Sequence, residues 1–164
     1  MLQHQRHKPL RQLQRPRELL VACAPMRSNV NISRIVRACG CCAIERVICC
    51  GTGRIIEKIA RDGANSVQIE THRTLEPPLV ELKKIGHRIV ALEQTTDSVD
   101  LSDYSFPRKA VLVVGNERSG LTEKILQVVD DAVEIPVFGL PFSHNAATAA
   151  AIAMYEYCRQ YPDG

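Results

Sequence analysis

Short, nearly continuous apolar runs alternate with helix-period segments along most of this chain. Leu19–Cys23 (LLVAC), Arg46–Cys50 (RVICC), Arg88–Leu92 (RIVAL) and Ala110–Val114 (AVLVV) are rich in Val, Ile and Leu. Such runs mark strands covered on both faces. Ser66–Glu70 (SVQIE) alternates with period two, and Val133–Ile135 runs up to Pro136, so both are expected as further strands. Between these runs, Asn29–Cys42 places Ile32, Ile35, Val36 and Cys39 at i, i+3, i+4 and i+7, one face of a helix. Pro77–Ile85 is expected to be helical and to stop at Gly86, and Thr122–Val128 to be a short helix capped by Thr122. Ser143–Tyr161 is expected to be a long alanine-rich helix with Ser143 at its N-cap. This alternation predicts an α/β domain with a mostly parallel sheet between helix layers. Ligands of such sheets lie in the loops beyond the carboxyl ends of the strands. Three loops stand out there: Pro25–Asn31, Gly115–Gly120 and Pro136–Asn145.

Residues 1–18 have no such pattern, which divides the chain into a basic N-terminal tail (1–18) and one domain (19–164). The tail holds five of the 21 basic residues (Arg6, Lys8, Arg11, Arg15, Arg17) and one of the 18 acidic ones, leaving 16 basic against 17 acidic in the domain. The net charge of +3 is therefore a property of the tail, which suits a phosphate-seeking arm or a solvated terminus. The tail has no apolar core of a secretory leader, and no apolar run approaches the roughly 18 residues of a membrane span. A cytoplasmic location without membrane association is expected.

Seven cysteines invite a test for metal. Cys39 and Cys42 form a C-x-x-C, but Cys49 and Cys50 are adjacent, and a structural zinc site needs a second spaced pair. Most of the seven, which include Cys23, Cys41 and Cys158, sit in apolar periodic segments and are expected to pack as small hydrophobes. No metal is expected.

Three segments carry candidate chemistry. Gly115–Thr122 (GNERSGLT) has the spacing of a phosphate-binding P-loop, yet Leu121 stands where that loop needs its lysine, so nucleotide hydrolysis is not expected. What remains is a strand-end turn between glycines that presents Glu117. Ile135–Asn145 (IPVFGLPFSHN) is stiff and nearly uncharged, and fits the wall of a site for a neutral or cationic small molecule better than a phosphate site. Asn31–Arg37 (NISRIVR) sits on the first helix with Arg34 and Arg37 as i, i+3 neighbours and Arg27 shortly before them. Guanidinium groups beside a strand-end site suit a phosphodiester.

Together, the order and spacing of these segments resemble the SpoU (TrmH-like) branch of the SPOUT methyltransferases. That family carries an Asn-x(5)-Arg helix motif, a strand followed by Gly-(Asn/Thr/Ser)-Glu-x-x-Gly-Leu, and Ile-Pro-x-x-Gly-x(3)-Ser-Leu-Asn before a small-residue helix. Here NISRIVR, GNERSGL and IPVFGLPFSHN stand in those places, over about residues 19–160. The resemblance implies an α/β fold with a deep C-terminal trefoil knot, a homodimer, and methyl transfer from S-adenosylmethionine to a ribose 2′-hydroxyl of tRNA or rRNA. A catalytically inactive RNA-binding relative is the alternative. By motif position, Asn31, Arg37, Glu117, Ser143 and Asn145 form the implied catalytic set, and Leu92, Gly115, Ile135 and His144 the implied cofactor contacts. Within the dimer the RNA-side arginine of one subunit would work near the cofactor of the other, with Tyr155 and Tyr157 as interface anchors. The chain departs from the family pattern at His144, where Leu is usual, at Ala147, where Ser is common, and at Ala43, where Gly is usual.

Overall fold

A computed structural model describes all 164 residues. Seven strands form one fully parallel sheet: β1 (Leu19–Cys23), β2 (Arg46–Cys50), β3 (Gln68–His72), β4 (Arg88–Leu92), β5 (Val99–Asp100), β6 (Ala110–Val114) and β7 (Asp131–Glu134). Their order across the sheet is β3-β2-β1-β6-β4-β7-β5. Six helices connect them: α1 (Asn29–Cys41), α2 (Glu57–Ala60), α3 (Gly63–Ser66), α4 (Glu76–Lys84), α5 (Glu123–Leu126) and α6 (Ala146–Gln160).

Alternation of side chains along the strands assigns the two faces. Leu19, Val21 and Cys23 of β1, with Leu112 and Val114 of β6, point into a cluster with Ile32, Ile35, Val36 and Cys39 of α1 and Ala150, Met154 and Tyr157 of α6. Leu20 and Ala22 of β1, with Val111 and Val113, point the other way onto Leu79 and Leu82 of α4 and Ile125 of α5. The sheet thus lies between two helix layers, as its continuous apolar strands require. No helix is long and apolar enough to cross a membrane.

The apolar strands β1, β2, β4 and β6 lie where the hydrophobic pattern puts them; three other elements are displaced. The third strand runs over Gln68–His72 rather than Ser66–Glu70, because residues 63–66 close a turn of helix (Val67 N–H to Gly63 O, 3.1 Å) and pairing with β2 begins at Arg46↔Gln68. The seventh strand starts at Asp131, where it meets Val90. The last helix starts at Ala146 rather than Ser143: Asn145 is its N-cap, accepting from the Ala147 and Thr148 N–H groups at 2.9 and 3.2 Å. Ser143 is exposed and caps nothing.

Tyr157 also departs from expectation. Its side chain is fully buried in its own chain, packs edge-on against Phe106 and donates to the Arg108 carbonyl at 2.6 Å. It is a core residue, whereas Tyr155 is 70% exposed. Arg17 is likewise tied into the body, donating to the Cys42 and Tyr161 carbonyls at 2.6 Å each. That leaves Arg6, Lys8, Arg11 and Arg15 as the tail's exposed cations.

The thiols are all free, and no three His, Cys, Asp or Glu side chains gather as metal ligands would. Cys23 and Cys49 sit side by side across β1 and β2, and the Cys39 sulfur meets that of Met154 at 3.6 Å in the α1–α6 seam.

Ala43, in the turn after α1, has φ +53. This left-handed conformation explains why glycine suits the position, since a Cβ there costs about 1–2 kcal/mol. Ala43→Gly should raise stability by up to about 1 kcal/mol, the strain relieved less the added freedom of the unfolded chain. Urea unfolding checks this, and a destabilised variant would contradict it.

Candidate functional site

The loops at the carboxyl ends of β4, β6 and β7 converge on a cavity of about 290 Å³, at the small end of the range for small-molecule sites. The sequence of the β6 loop dictates its shape. Asn116 and Gly120 exchange two backbone hydrogen bonds of 3.0 Å and so close the turn on itself. A Cβ on Gly115 would stand 2.8 Å from the Gly120 carbonyl carbon, and Gly120 has φ +64. Both glycines are therefore required, one by closeness and the other by backbone conformation. The Asn116 side chain locks the tip, accepting from the Arg118 and Ser119 N–H groups and donating to the Pro25 carbonyl at 2.7 Å.

Glu117 is thereby aimed at the start of α1. Its carboxylate accepts from the Ser28 N–H at 3.1 Å, the Arg27 N–H at 3.3 Å and the Asn31 side-chain amide at 3.2 Å. Asn31 is buried, one of two buried polar side chains in the chain. Its other amide atom, Oδ1, accepts from Asn145 Nδ2 at 3.2 Å, while Asn145 Oδ1 caps α6. The two bonds assign the Asn31 amide orientation, because only its NH₂ can face a carboxylate. Asn145, Asn31 and Glu117 thus form one hydrogen-bonded chain joining the helix start, the β6 turn and the α6 cap. Partial burial pushes the Glu117 carboxyl up. Hydrogen bonds from its own backbone N–H, from Ser28, from Asn31 and from Arg27 outweigh this and hold it below the ordinary glutamate value.

The four candidate cofactor contacts, Leu92, Gly115, Ile135 and His144, all line the cavity, as do Glu117 and Ser143. Asn31 and Asn145 stand behind it, through Glu117. Arg37 is not brought there: it is exposed, two turns along α1 from Asn31, and does not line the cavity.

Glu93 was not singled out by the sequence. Its carboxylate accepts from the Leu121 N–H at 2.9 Å and ties the β4 loop to the β6 turn. A Cβ on Gly120 would collide with it at 2.4 Å. No local sequence signal marks a carboxylate whose partner is a backbone N–H 28 residues away. Glu134, whose carboxylate accepts from the Ser98 hydroxyl at 2.6 Å, adds a third acid to the cavity wall. The wall is thus apolar along Leu92, Val114, Ile135 and Val137 and acidic at Glu93, Glu117 and Glu134. Arg118 and His144 also line it, so the wall carries both signs of charge beside its apolar face.

The model of the SpoU rRNA Methylase family matches residues 18–155. The tRNA (guanosine(18)-2′-O)-methyltransferase of Escherichia coli is 29% identical over 146 residues, which is 87% of this chain and 64% of that protein. The chain thus spans somewhat less than two thirds of that relative's length. The crystal structure of the Aquifex aeolicus TrmH/SpoU tRNA modifying enzyme superposes with a TM-score of 0.86 at 29% identity, over 92% of this chain and 79% of that one. The SpoU methyltransferase AviRb of Streptomyces viridochromogenes, in complex with AdoMet, superposes with a TM-score of 0.74 at 25% identity, over 95% of this chain and 64% of that one.

Glu117→Ala should strip the Ser28 N–H of its acceptor, at a cost of about 1 kcal/mol, and lower its protection from hydrogen exchange. The lowered carboxyl value sets the pH window. The contribution of Glu117 is complete above the ordinary glutamate value of about 4.3 and is lost as pH falls through the lower folded value. Ser28 protection in the wild type should fall over that acidic window. Equal protection in the variant and the wild type would remove Glu117 as the anchor.

Proposed function

Because the chain belongs to the SpoU rRNA Methylase family, we propose that it transfers a methyl group from S-adenosylmethionine to a ribose 2′-hydroxyl of RNA, with tRNA as the favoured substrate. The observation that carries this reading is the Asn145–Asn31–Glu117 chain, which joins all three motif segments behind one cavity.

The cavity suits the cofactor. Its apolar wall fits an adenine, and the carboxylates of Glu93 and Glu134 complement a cationic sulfonium and amine. Leu92, Gly115, Ile135 and His144 would hold it, with His144 replacing the leucine usual in the family. Bound there, S-adenosylmethionine supplies a methyl group on a positively charged sulfur. The AdoMet complex of AviRb and the tRNA-modifying relatives support the cofactor and the RNA class. The strand order, in which β6 lies between β1 and β4 and β7 lies beyond β4, supports the family's C-terminal trefoil knot.

The protein's own task is to orient the ribose and manage charge. A 2′-hydroxyl is a weak nucleophile and must shed its proton as it attacks. Arg37 stays cationic in any such site, so its role is to grip a substrate phosphate and steady the developing oxyanion; the proton goes to that phosphate or to water. Ser143, exposed at the mouth, would hydrogen-bond the ribose, and Asn31 and Asn145 would act as positioning residues through Glu117.

Arg37 lies away from the cavity of its own chain, so the reading includes a homodimer in which a second copy completes the site. Phe138, Leu140 and Phe142 on the β7–α6 loop are 99%, 79% and 80% exposed, and Ile152 and Tyr155 of α6 extend this apolar surface. Exposed apolar side chains of this size fit burial against a second copy. Residues 1–18 remain a candidate phosphate-seeking arm, with Arg17 as its anchor to the domain.

Calorimetry should show binding of S-adenosylmethionine, and a tRNA transcript should gain a ribose methyl group in its presence. Binding of RNA without transfer would instead indicate an inactive relative. Arg37→Ala should abolish transfer and leave cofactor affinity within a few-fold; a variant with near wild-type turnover would remove Arg37 from the site. Sedimentation at micromolar concentration should give one species of twice the chain mass, and a fully active monomer would overturn the shared site.

A further inference from the structure

Four arginines follow four neighbouring strands at the carboxyl edge of the sheet: Arg73 after β3, Arg54 after β2, Arg27 after β1 and Arg118 after β6. Because those strands are adjacent in the order β3-β2-β1-β6, the four positions form a row. At about 4.8 Å per strand the row extends roughly 14 Å, a length on the scale of two to four successive phosphates of one nucleic-acid strand. One end is Arg118, which lines the cavity.

Three of the four are fixed by the backbone while their side chains stay free. The Arg27 N–H donates to Glu117, the Arg54 N–H to Asn29 Oδ1 at 3.0 Å, and the Arg118 N–H to Asn116 Oδ1 at 2.9 Å. All four residues are exposed, and none of the four guanidinium groups takes part in a salt bridge or a side-chain hydrogen bond. The opposite edge of the same sheet is built differently. Arg46 and Arg88, at the starts of β2 and β4, each make two hydrogen bonds to a carboxylate, Glu70 and Asp131. Lys83 pairs with Asp130 at 2.7 Å.

The acids at the carboxyl edge do not cancel the row. Glu117 and Glu93 are turned inward onto backbone N–H groups. Glu57 and Glu76, at the starts of α2 and α4, make no ion pair with the row, so its four guanidinium groups stay available to an outside anion. Unpaired guanidinium groups in a line, held by short anchored loops, match an anionic strand in charge and spacing.

We propose that Arg118, Arg27, Arg54 and Arg73 form a phosphate track leading from the cavity mouth to the β3 edge, along which the RNA strand flanking the modified nucleotide lies. This inference rests on the RNA methyl-transfer reading above. The track acts on the backbone, so it sets affinity and register and not base identity.

The test uses the full chain and a tRNA transcript. Binding by fluorescence anisotropy across a salt series is compared for wild type, an Arg54→Ala/Arg73→Ala double variant, and Lys84→Ala, which removes an exposed cation from the far end of α4. Removing one cation from a single-strand phosphate flattens the log–log salt slope by about 0.7. The double variant should therefore show a slope flatter by about 1.4 while keeping wild-type affinity for S-adenosylmethionine, and Lys84→Ala should keep the wild-type slope. A wild-type slope in the double variant, with transfer intact in the wild type, would overturn the track alone. A flattening of about 0.7 in Lys84→Ala would show a diffuse charge effect and also overturn it. A wild type that binds no RNA would overturn the track together with the methyl-transfer reading.

Discussion

One buried amide holds the site together. Asn31 gives its NH₂ to Glu117 and its oxygen to Asn145, so neither helix start nor the β6 turn can shift without breaking a partner's bond. An amide is suited to this because it is donor and acceptor at once; an ionised carboxylate or a lysine ammonium would serve only one side. With low exposure and both ends bonded, the group meets the condition under which a buried polar side chain is tolerated, and a half-bonded one would be costly. Glu117 then spreads the constraint to the backbone of the β1–α1 loop, through Ser28 and Arg27.

The remainder of the fold serves that junction. A parallel sheet brings the carboxyl ends of its strands to one edge, so loops distant in sequence meet there without long excursions. The small residues on the inner face of α6, Ala147, Ala150 and Ala153, let the helix lie close on the core and carry its N-cap to Asn31. The same sheet separates two chemistries. At its amino edge Arg46 and Arg88 are paired with carboxylates, and its carboxyl edge keeps both its cavity and its unpaired arginines.

Much of this was legible in the chain itself. β1, β2, β4 and β6 announce themselves because burial on both faces demands unbroken apolar runs, and α1 because its one apolar face repeats at helical spacing. The four-residue helices α2 and α3 and the two-residue β5 are too short for any period to show. Ser143 misled as a cap because Ser and Asn serve equally well there, and only the contact of Asn145 with Asn31 on another helix decides between them. Asn31, Glu117 and Asn145 stood out through the coincidence of three motifs, none of which is decisive singly. Glu93 and the row of arginines were invisible, because the partner of the first and the alignment of the second exist only once the strand order is known.

The contact between Glu93 and Gly120 has an evolutionary consequence. The carboxylate fills the space a Cβ at position 120 would need, and the backbone there is left-handed as well. A change at Gly120 therefore meets two barriers, of which only the steric one depends on position 93. A lineage could shed the acid first and then sample an Asn at position 120, which tolerates that backbone best among residues with side chains. The reverse order requires the Glu93 carboxylate to swing aside and give up the Leu121 N–H. Among homologues, the two positions should then be epistatic, with side chains at 120 confined to branches that have already lost the acid at 93.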